Sequence, residues 1–247
     1  MPAQPNLSLI HGLACLQLLT ASDGPVGSRD MAQRLGLEHT RVNRLLGTLA
    51  LLGLAEQTPD RKYRPGPGVH VLAAQSLHGS HLLSCALPVL ERLREPDWTV
   101  ALGVLWQGHV CYLFHARPGV PFEEAIGRHE LYPAPHSSIG VLLLAHAGSK
   151  NELGEEALVP NMASVSVPRE VLPDALEHVR ENGFARLTYG GKTEVVSVSV
   201  GLGQPPIAAI AISSPQIAEE NIPDVVDRLR NAAAEIEAAM ENFTPTL

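Results

Sequence analysis

Arg41, Asn43 and Arg44 stand within four consecutive positions near the start of HTRVNRLLGTLALLGL, residues 39–54. A guanidinium can give two hydrogen bonds to guanine O6 and N7, and a carboxamide can pair with adenine N6 and N7. The chemistry on offer is therefore the reading of base edges, with His39 and Thr40 beside these residues. A second basic group, Arg61, Lys62 and Arg64 in DRKYR, suits phosphate neutralisation, which positions a protein on a duplex without selecting a sequence. A third set is neutral: Ser137 and Ser138 in APHSSIGVLLLAHA, and Ser197 and Ser213 in EVVSVSVGLGQPPIAAIAISS. Hydroxyls there can hold a small polar ligand.

The elements that must carry the first set can be read turn by turn. Leu9, Leu13 and Leu16 recur at helical spacing behind Asn6 and Ser8, and predict an amphipathic helix ending near Ala21 with those leucines buried. A second helix begins near Ser28, places Asp30 in its first turn where the helix dipole favours an acid, and buries Met31, Ala32 and Leu35. Gly36 stops it. A third helix follows with Thr40 as its cap and Val42, Leu45, Leu46 and Leu49 as its apolar stripe. Helix, short glycine-containing turn and helix is the helix-turn-helix spacing. In that geometry the second helix enters the major groove by its N-terminal residues while its other half packs on its own domain. A polar start and a leucine-rich remainder satisfy both demands. His39, Thr40, Asn43 and Arg44 fall on one side, away from Leu45 and Leu49, with Arg41 flanking them.

LAEQTPDRKYRPG, residues 54–66, reads as a hairpin around TPD with Arg61, Lys62 and Arg64 on its return strand, a wing. RPGPG, residues 64–68, closes this segment, because it continues neither a helix nor a central strand. Charge divides at the same place. Residues 1–68 carry seven Arg/Lys against five Asp/Glu, a net of +2, whereas the remainder carries eleven against twenty-one, a net of −10. Such asymmetry points to two domains with different partners.

Order and spacing together carry a family resemblance. GLACLQLL, SRDMAQRLGLEHTRVNRLLGTLALLGL, RKYRPGPG, ALPVLERL, HSSIGVLLLAHA, ENGFA and IAAIAISSP, in that order, resemble the IclR family of bacterial transcriptional regulators over nearly the whole chain. The resemblance implies an α+β protein of two domains: a winged helix-turn-helix over 1–68, a linker helix over 69–86, and a GAF-like effector-binding domain over 87–247. It also implies a homodimer or dimer of dimers on a pseudo-palindromic double-stranded DNA operator, and an effector pocket at the loop-helix of APHSSIGVLLLAHA. Matching the family's strand pattern, Ser197 falls near a ligand-contacting position and Ser213 on one. Ala211, Leu187 and Pro135 depart from the pattern, standing in place of a serine, an acid and a histidine.

The residues of the second domain support an α+β reading independently. VHVLAAQSLHGSHLLSCALPVLERL, residues 69–93, reads as helix with a weak point at Gly79 and a restart before Pro88. Its Leu72, Leu77, Leu82 and Leu83 offer an apolar face for pairing. WTVALGVLW and HVCYLFHA read as strands around Gln107-Gly108. Alternation in the stretch 194–214 puts Ser197 and Ser199 on one sheet face and Val196, Val198 and Val200 on the other. Helices at REVLPDALEHVRENG and IPDVVDRLRNAAAEIEAAMENF complete the domain. Ser137 or Ser138 can cap the helix through Leu142, whose free N–H groups attract a carboxylate. With His136 nearby and Ile139 and Ile210 as walls, the expected effector is a small monocarboxylate rather than a dianion needing arginine forks.

Other chemistry is set aside. GGKT, residues 190–193, lacks the earlier glycine of a phosphate-binding loop, since Arg186 stands there. His78 and His81, and His129 and His136, lack a carboxylate or cysteine at ligand spacing, so no metal or other cofactor is expected. Cys15, Cys85 and Cys111 form no CxxC pair and read as buried apolar residues. Neither GxSxG nor HExxH occurs, and the chain is read as no enzyme. No run of 18 or more apolar residues and no basic leader are seen, so the reading is cytoplasmic. A second reading, in which the winged helix is a protein-interaction surface on a ligand-binding or oligomerising module, is disfavoured by Arg41, Arg44 and a basic wing occurring together.

Overall fold

A computed structural model describes residues 5–127, 131–147, 172–190 and 194–243. Among these, the chain forms two compact units, one up to Gly79 and one from Ser80 onward.

In the first unit three helices precede a hairpin: α1 (Leu7–Thr20), α2 (Ser28–Leu35), α3 (His39–Leu51), β1 (Ala55–Gln57) and β2 (Tyr63–Pro65). Asn6 caps α1 by accepting from the Ser8 and Leu9 amides. The buried face of α1 is not the expected leucine stripe. His11, Ala14, Cys15 and Leu19 are buried, whereas Leu9 and Leu13 are 62% and 54% exposed. The helix is apolar nearly all round, so periodicity cannot choose a face. Small residues choose it, because Gly12, Ala14 and Cys15 let α3 approach closely. Helix α2 buries Met31, Ala32 and Leu35, and Gly36 ends it with φ 65°, the left-handed conformation that turns the chain into α3. Glu38, not Thr40, occupies the cap position of α3. Val42, Leu46 and Leu49 are its buried stripe, with Leu45 half-buried against them.

The hairpin pairs Ala55 with Pro65, Glu56 with Arg64 and Gln57 with Tyr63. A two-way backbone pairing of Val26 with Tyr63, both bonds 2.8 Å, ties the wing to the loop before α2. Helix α4 (Pro67–Ser80) starts inside RPGPG, with Pro67 in the first position, where the missing N–H costs nothing. The linker helix therefore begins two residues earlier than the sequence reading.

The second unit opens with α5 (Leu82–Leu93). The break from α4 falls at His81, φ 54°, two residues past Gly79, and Pro88 lies inside α5 rather than at a restart. A six-stranded antiparallel sheet follows, in the order β5 (Leu131–Pro133), β4 (His109–Ala116), β3 (Thr99–Trp106), β8 (Ala208–Ser214), β7 (Val195–Leu202), β6 (Phe184–Tyr189). Helices α5 and α8 (Ile222–Glu241) cover one face; α6 (Ser138–His146) and α7 (Leu172–Asn182) cover the other.

The two faces differ in bulk. Val100, Leu102, Val196, Val198, Val200, Ile210 and Ile212 pack towards α5 and α8. The alternate positions, Ala101, Gly103, Ala209, Ala211, Ser197 and Ser199, are small. A sheet face made of small residues lets α6 sit close at one end and leaves space at the other. Gly140 is part of this fit: a Cβ there would run into the carbonyl of Ala134. Among the described residues, no helix is long and apolar enough to cross a membrane.

Candidate nucleic-acid interface and ligand pocket

His39, Thr40, Arg41, Asn43 and Arg44 are all exposed on the first half of α3. Their side chains are not equivalent. His39 Nε2 lies 2.9 Å from Ser28 Oγ, which joins the starts of α2 and α3 and makes His39 a clamp on the two helices. Arg41 Nη1 donates to His11 Nδ1 at 3.4 Å and so turns back towards α1. Asn43 and Arg44 make no side-chain hydrogen bond or ion pair among the described residues, and their fork and amide remain available for base edges.

The wing is less basic than its composition. Arg64 is the one basic residue of the three on β2, and it is ion-paired across the hairpin with Glu56 at 3.0 Å. Lys62, just before the strand, pairs with Asp60 at 3.3 Å. The Thr58 hydroxyl and Lys62 hold the Asp60 carboxyl below its ordinary range. Arg61 sits in the turn at φ 62°, not on the return strand. Each pair is exposed and screened, so it can exchange its partner for a phosphate at small cost.

In the second unit a cavity of about 370 Å³ opens between the sheet and the start of α6. One row of cross-strand partners builds much of it: Ser197 on β7 faces Ser213 on β8, which faces Thr99 on β3, with Arg117 just past β4. The next row supplies Ala211, Ala101 and His115, and the two alanines leave the volume. Tyr112, Tyr132, Tyr189, Ser138 and Ile139 complete the wall.

Of the residues expected here, Ser138, Ser197 and Ser213 line the cavity and form a hydrogen-bonded chain. Ser213 Oγ donates to Ser197 Oγ at 2.8 Å, and Ser197 Oγ and Ser138 Oγ lie 2.8 Å apart. Ser197 and Ser138 are 3% and 2% exposed, so these are not solvent-facing serines. Ser137 is buried but serves the fold: its Oγ accepts from the Gly140 amide at 3.3 Å, capping α6, and bonds the Tyr112 hydroxyl at 2.9 Å. Two expectations fail. His136 is exposed in a short 3₁₀ turn before α6 and does not line the cavity. Ile210 alternates to the opposite sheet face and packs towards α5 and α8. His129 lies outside the described residues.

Sequence reasoning missed Tyr112, Tyr189, His115 and Arg117. A slip in register between Leu102 and Gly103 leaves Leu113 unpaired, a β-bulge that resets the alternation of β4. Tyr112 and His115 therefore share one face despite their odd spacing, with ring centroids 5.0 Å apart. Burial raises the Tyr112 hydroxyl above its ordinary range, and it pushes that of Tyr189 up to about 12.

Comparison with known proteins agrees with this layout. Residues 8–59 match the IclR helix-turn-helix domain. The transcriptional regulator BhcR of Paracoccus denitrificans is 26% identical over 243 residues, covering 94% of this chain and 87% of its own. The acetate operon repressor of Salmonella typhimurium is 31% identical over 102 residues, 40% of this chain and 37% of that repressor's length. An IclR family transcriptional regulator from Brucella abortus superposes with a TM-score of 0.71 at 23% identity, covering 96% of this chain and 93% of the other. An IclR homolog from Microbacterium hydrocarbonoxydans, complexed with 4-hydroxybenzoate, gives 0.63 at 24% identity, with 96% and 100% covered.

Proposed function

Because this chain belongs to the IclR family of transcriptional regulators, we propose that it binds operator DNA through α3 and the wing, and senses a small organic acid in the cavity beside α6. The observation that carries the DNA reading is the exposed, unengaged pair Asn43 and Arg44 on a helix whose other half is buried. Arg44 and Asn43 read base edges, Thr40 approaches the groove beside them, and Arg61, Lys62 and Arg64 face phosphates. The acid reading rests on the serine chain, the first turn of α6 and one arginine, Arg117, at the exposed rim. A single guanidinium at the rim suits the attraction of one anionic group, and apolar and aromatic walls match a carbon body.

The test joins the two halves. The full chain will retain duplexes from a genomic library, with retention falling steeply as salt rises because phosphate contacts release counterions. An acid that raises its melting temperature will also shift its DNA affinity, since an effector acts only through differential affinity for two arrangements. No DNA retained at any salt concentration, or acids that stabilise the chain without moving DNA affinity, would overturn the corresponding half.

Pairing of two chains belongs to the same proposal. Every residue of α4 from His70 to Gly79 is exposed, including Val71, Leu72 and Leu77. A solvated helix with this apolar content gains stability from a partner. Leu82 and Leu83, expected on the same surface, are instead buried in the core of the second unit, because the break at His81 separates them from α4. Sedimentation should show a dimer or larger at micromolar concentration, and Leu72→Glu with Leu77→Glu should shift it towards monomer. A wild-type monomer with and without DNA would refute the assembly.

A further inference from the structure

Proton counting along the pocket's hydroxyls leads to one side chain. The Ser213 proton is committed to Ser197, and one further proton serves the Ser197–Ser138 bond. The Ser138 amide donates to the Tyr189 hydroxyl oxygen at 3.3 Å, and the Ser197 hydroxyl lies near enough to the same oxygen to favour its anion. That phenol oxygen is thus an acceptor for the network and retains its own proton. When Ser138 donates to Ser197, Ser197 donates to the phenol oxygen, and the Tyr189 proton is left for a ligand acceptor.

We infer that Tyr189 is the specificity-determining donor of this pocket, giving its O–H to a carboxylate oxygen of the bound ligand. This rests on the reading of the cavity as an acid site. Bonds accepted by the phenol oxygen polarise its O–H and strengthen it as a donor. Burial, then the neighbouring Tyr112, raise its pKa, with the Ser138 amide and Ser197 offsetting part, so at about 12 it stays protonated across the physiological range. An anion therefore meets a neutral donor there, not a phenolate.

Placement supports the assignment. Tyr189 ends β6, on the same face as Leu187, whose cross-strand partner is Ser197. Leu187 packs into the apolar layer under α6 and α7, so β6 brings to the cavity one apolar and one polar side chain in adjacent layers. Ser138, held to Ser197 and to Tyr189, fixes the first turn of α6 against the same corner, where the positive end of the helix dipole favours negative charge. Arg117 lies several strands away at the rim, placed to attract an acid rather than to hold it at this corner.

Isothermal titration of the full chain with benzoate, phenylacetate and acetate tests this, with benzamide as the uncharged control. Tyr189→Phe keeps the ring and removes only the donor; benzoate affinity is expected to fall about 10- to 100-fold, as for a lost hydrogen bond to a charged group. Benzamide binding should change less. Ultraviolet difference spectra should show a tyrosine perturbation on adding benzoate to the wild type that is lost in the variant. Benzoate affinity in Tyr189→Phe within twofold of wild type overturns the assignment of Tyr189 alone. A wild type that binds none of the three acids overturns the acid-site reading beneath it, and the Tyr189 assignment with it.

Discussion

Arg44→Ala will relax base preference at one position of each half-site by about 1–3 kcal/mol, roughly 5- to 150-fold, while leaving affinity for unrelated duplex nearly unchanged. Arg44 is exposed in the polar half of α3 and makes no ion pair among the described residues, so its removal leaves the fold without a broken contact. Asn43→Ala should act likewise at a neighbouring base pair. Arg41→Ala should cost less in preference, because its guanidinium bonds His11 Nδ1 instead of projecting outward. Affinities measured on operators changed one base pair at a time will separate the cases. A uniform loss over all sequences, with a shallower salt dependence, would reassign Arg44 to phosphate contact.

Gly140→Val is expected to damage the second unit and its pocket together. The added Cβ would meet the backbone of Ala134, which cannot rotate away as a flexible side chain could. Relief requires the start of α6 to move, and that motion breaks the Ser137 cap, the Ser137–Tyr112 bond and the Ser138–Tyr189 bond. Overpacking of this kind costs about 1–3 kcal/mol. For a unit of this size, that corresponds to a melting temperature lower by about 2–12 °C. Binding of small acids should be lost with it. Calorimetry showing a melting temperature within a degree of wild type and unaltered benzoate binding would contradict this account of the loop.

Local chemistry made some elements legible without coordinates. The division of α3 into a polar and a leucine-rich half, Gly36 as the stop of α2, the hairpin after α3, and the Ser/Val alternation of β7 all follow from residue type at fixed spacing. Each is a property of one segment, because helix period, strand period and turn chemistry act over a few residues. The sequence offers two neighbouring serines as the cap of α6, and the fold uses Ser137, which leaves Ser138 for the pocket.

Elsewhere neighbours decided. An all-apolar α1 presents no preferred face until α3 packs on its small residues, so Leu9 and Leu13 end exposed. Wing cations look free in sequence, yet Glu56 and Asp60 pair with Arg64 and Lys62 because the hairpin brings them side by side. By itself, then, the sequence determined most segments as helix, strand or turn, though not β5 and β6, and that α3 carries a polar, cation-bearing first half beside a hairpin. Tertiary structure alone decided which further side chains share the cavity with the three serines expected there. A bulge at Leu113 rotates one strand's alternation, and cross-strand register aligns Ser197, Ser213 and Thr99 with Arg117. Residues far apart in the chain become neighbours only through pairing, and no local period encodes that.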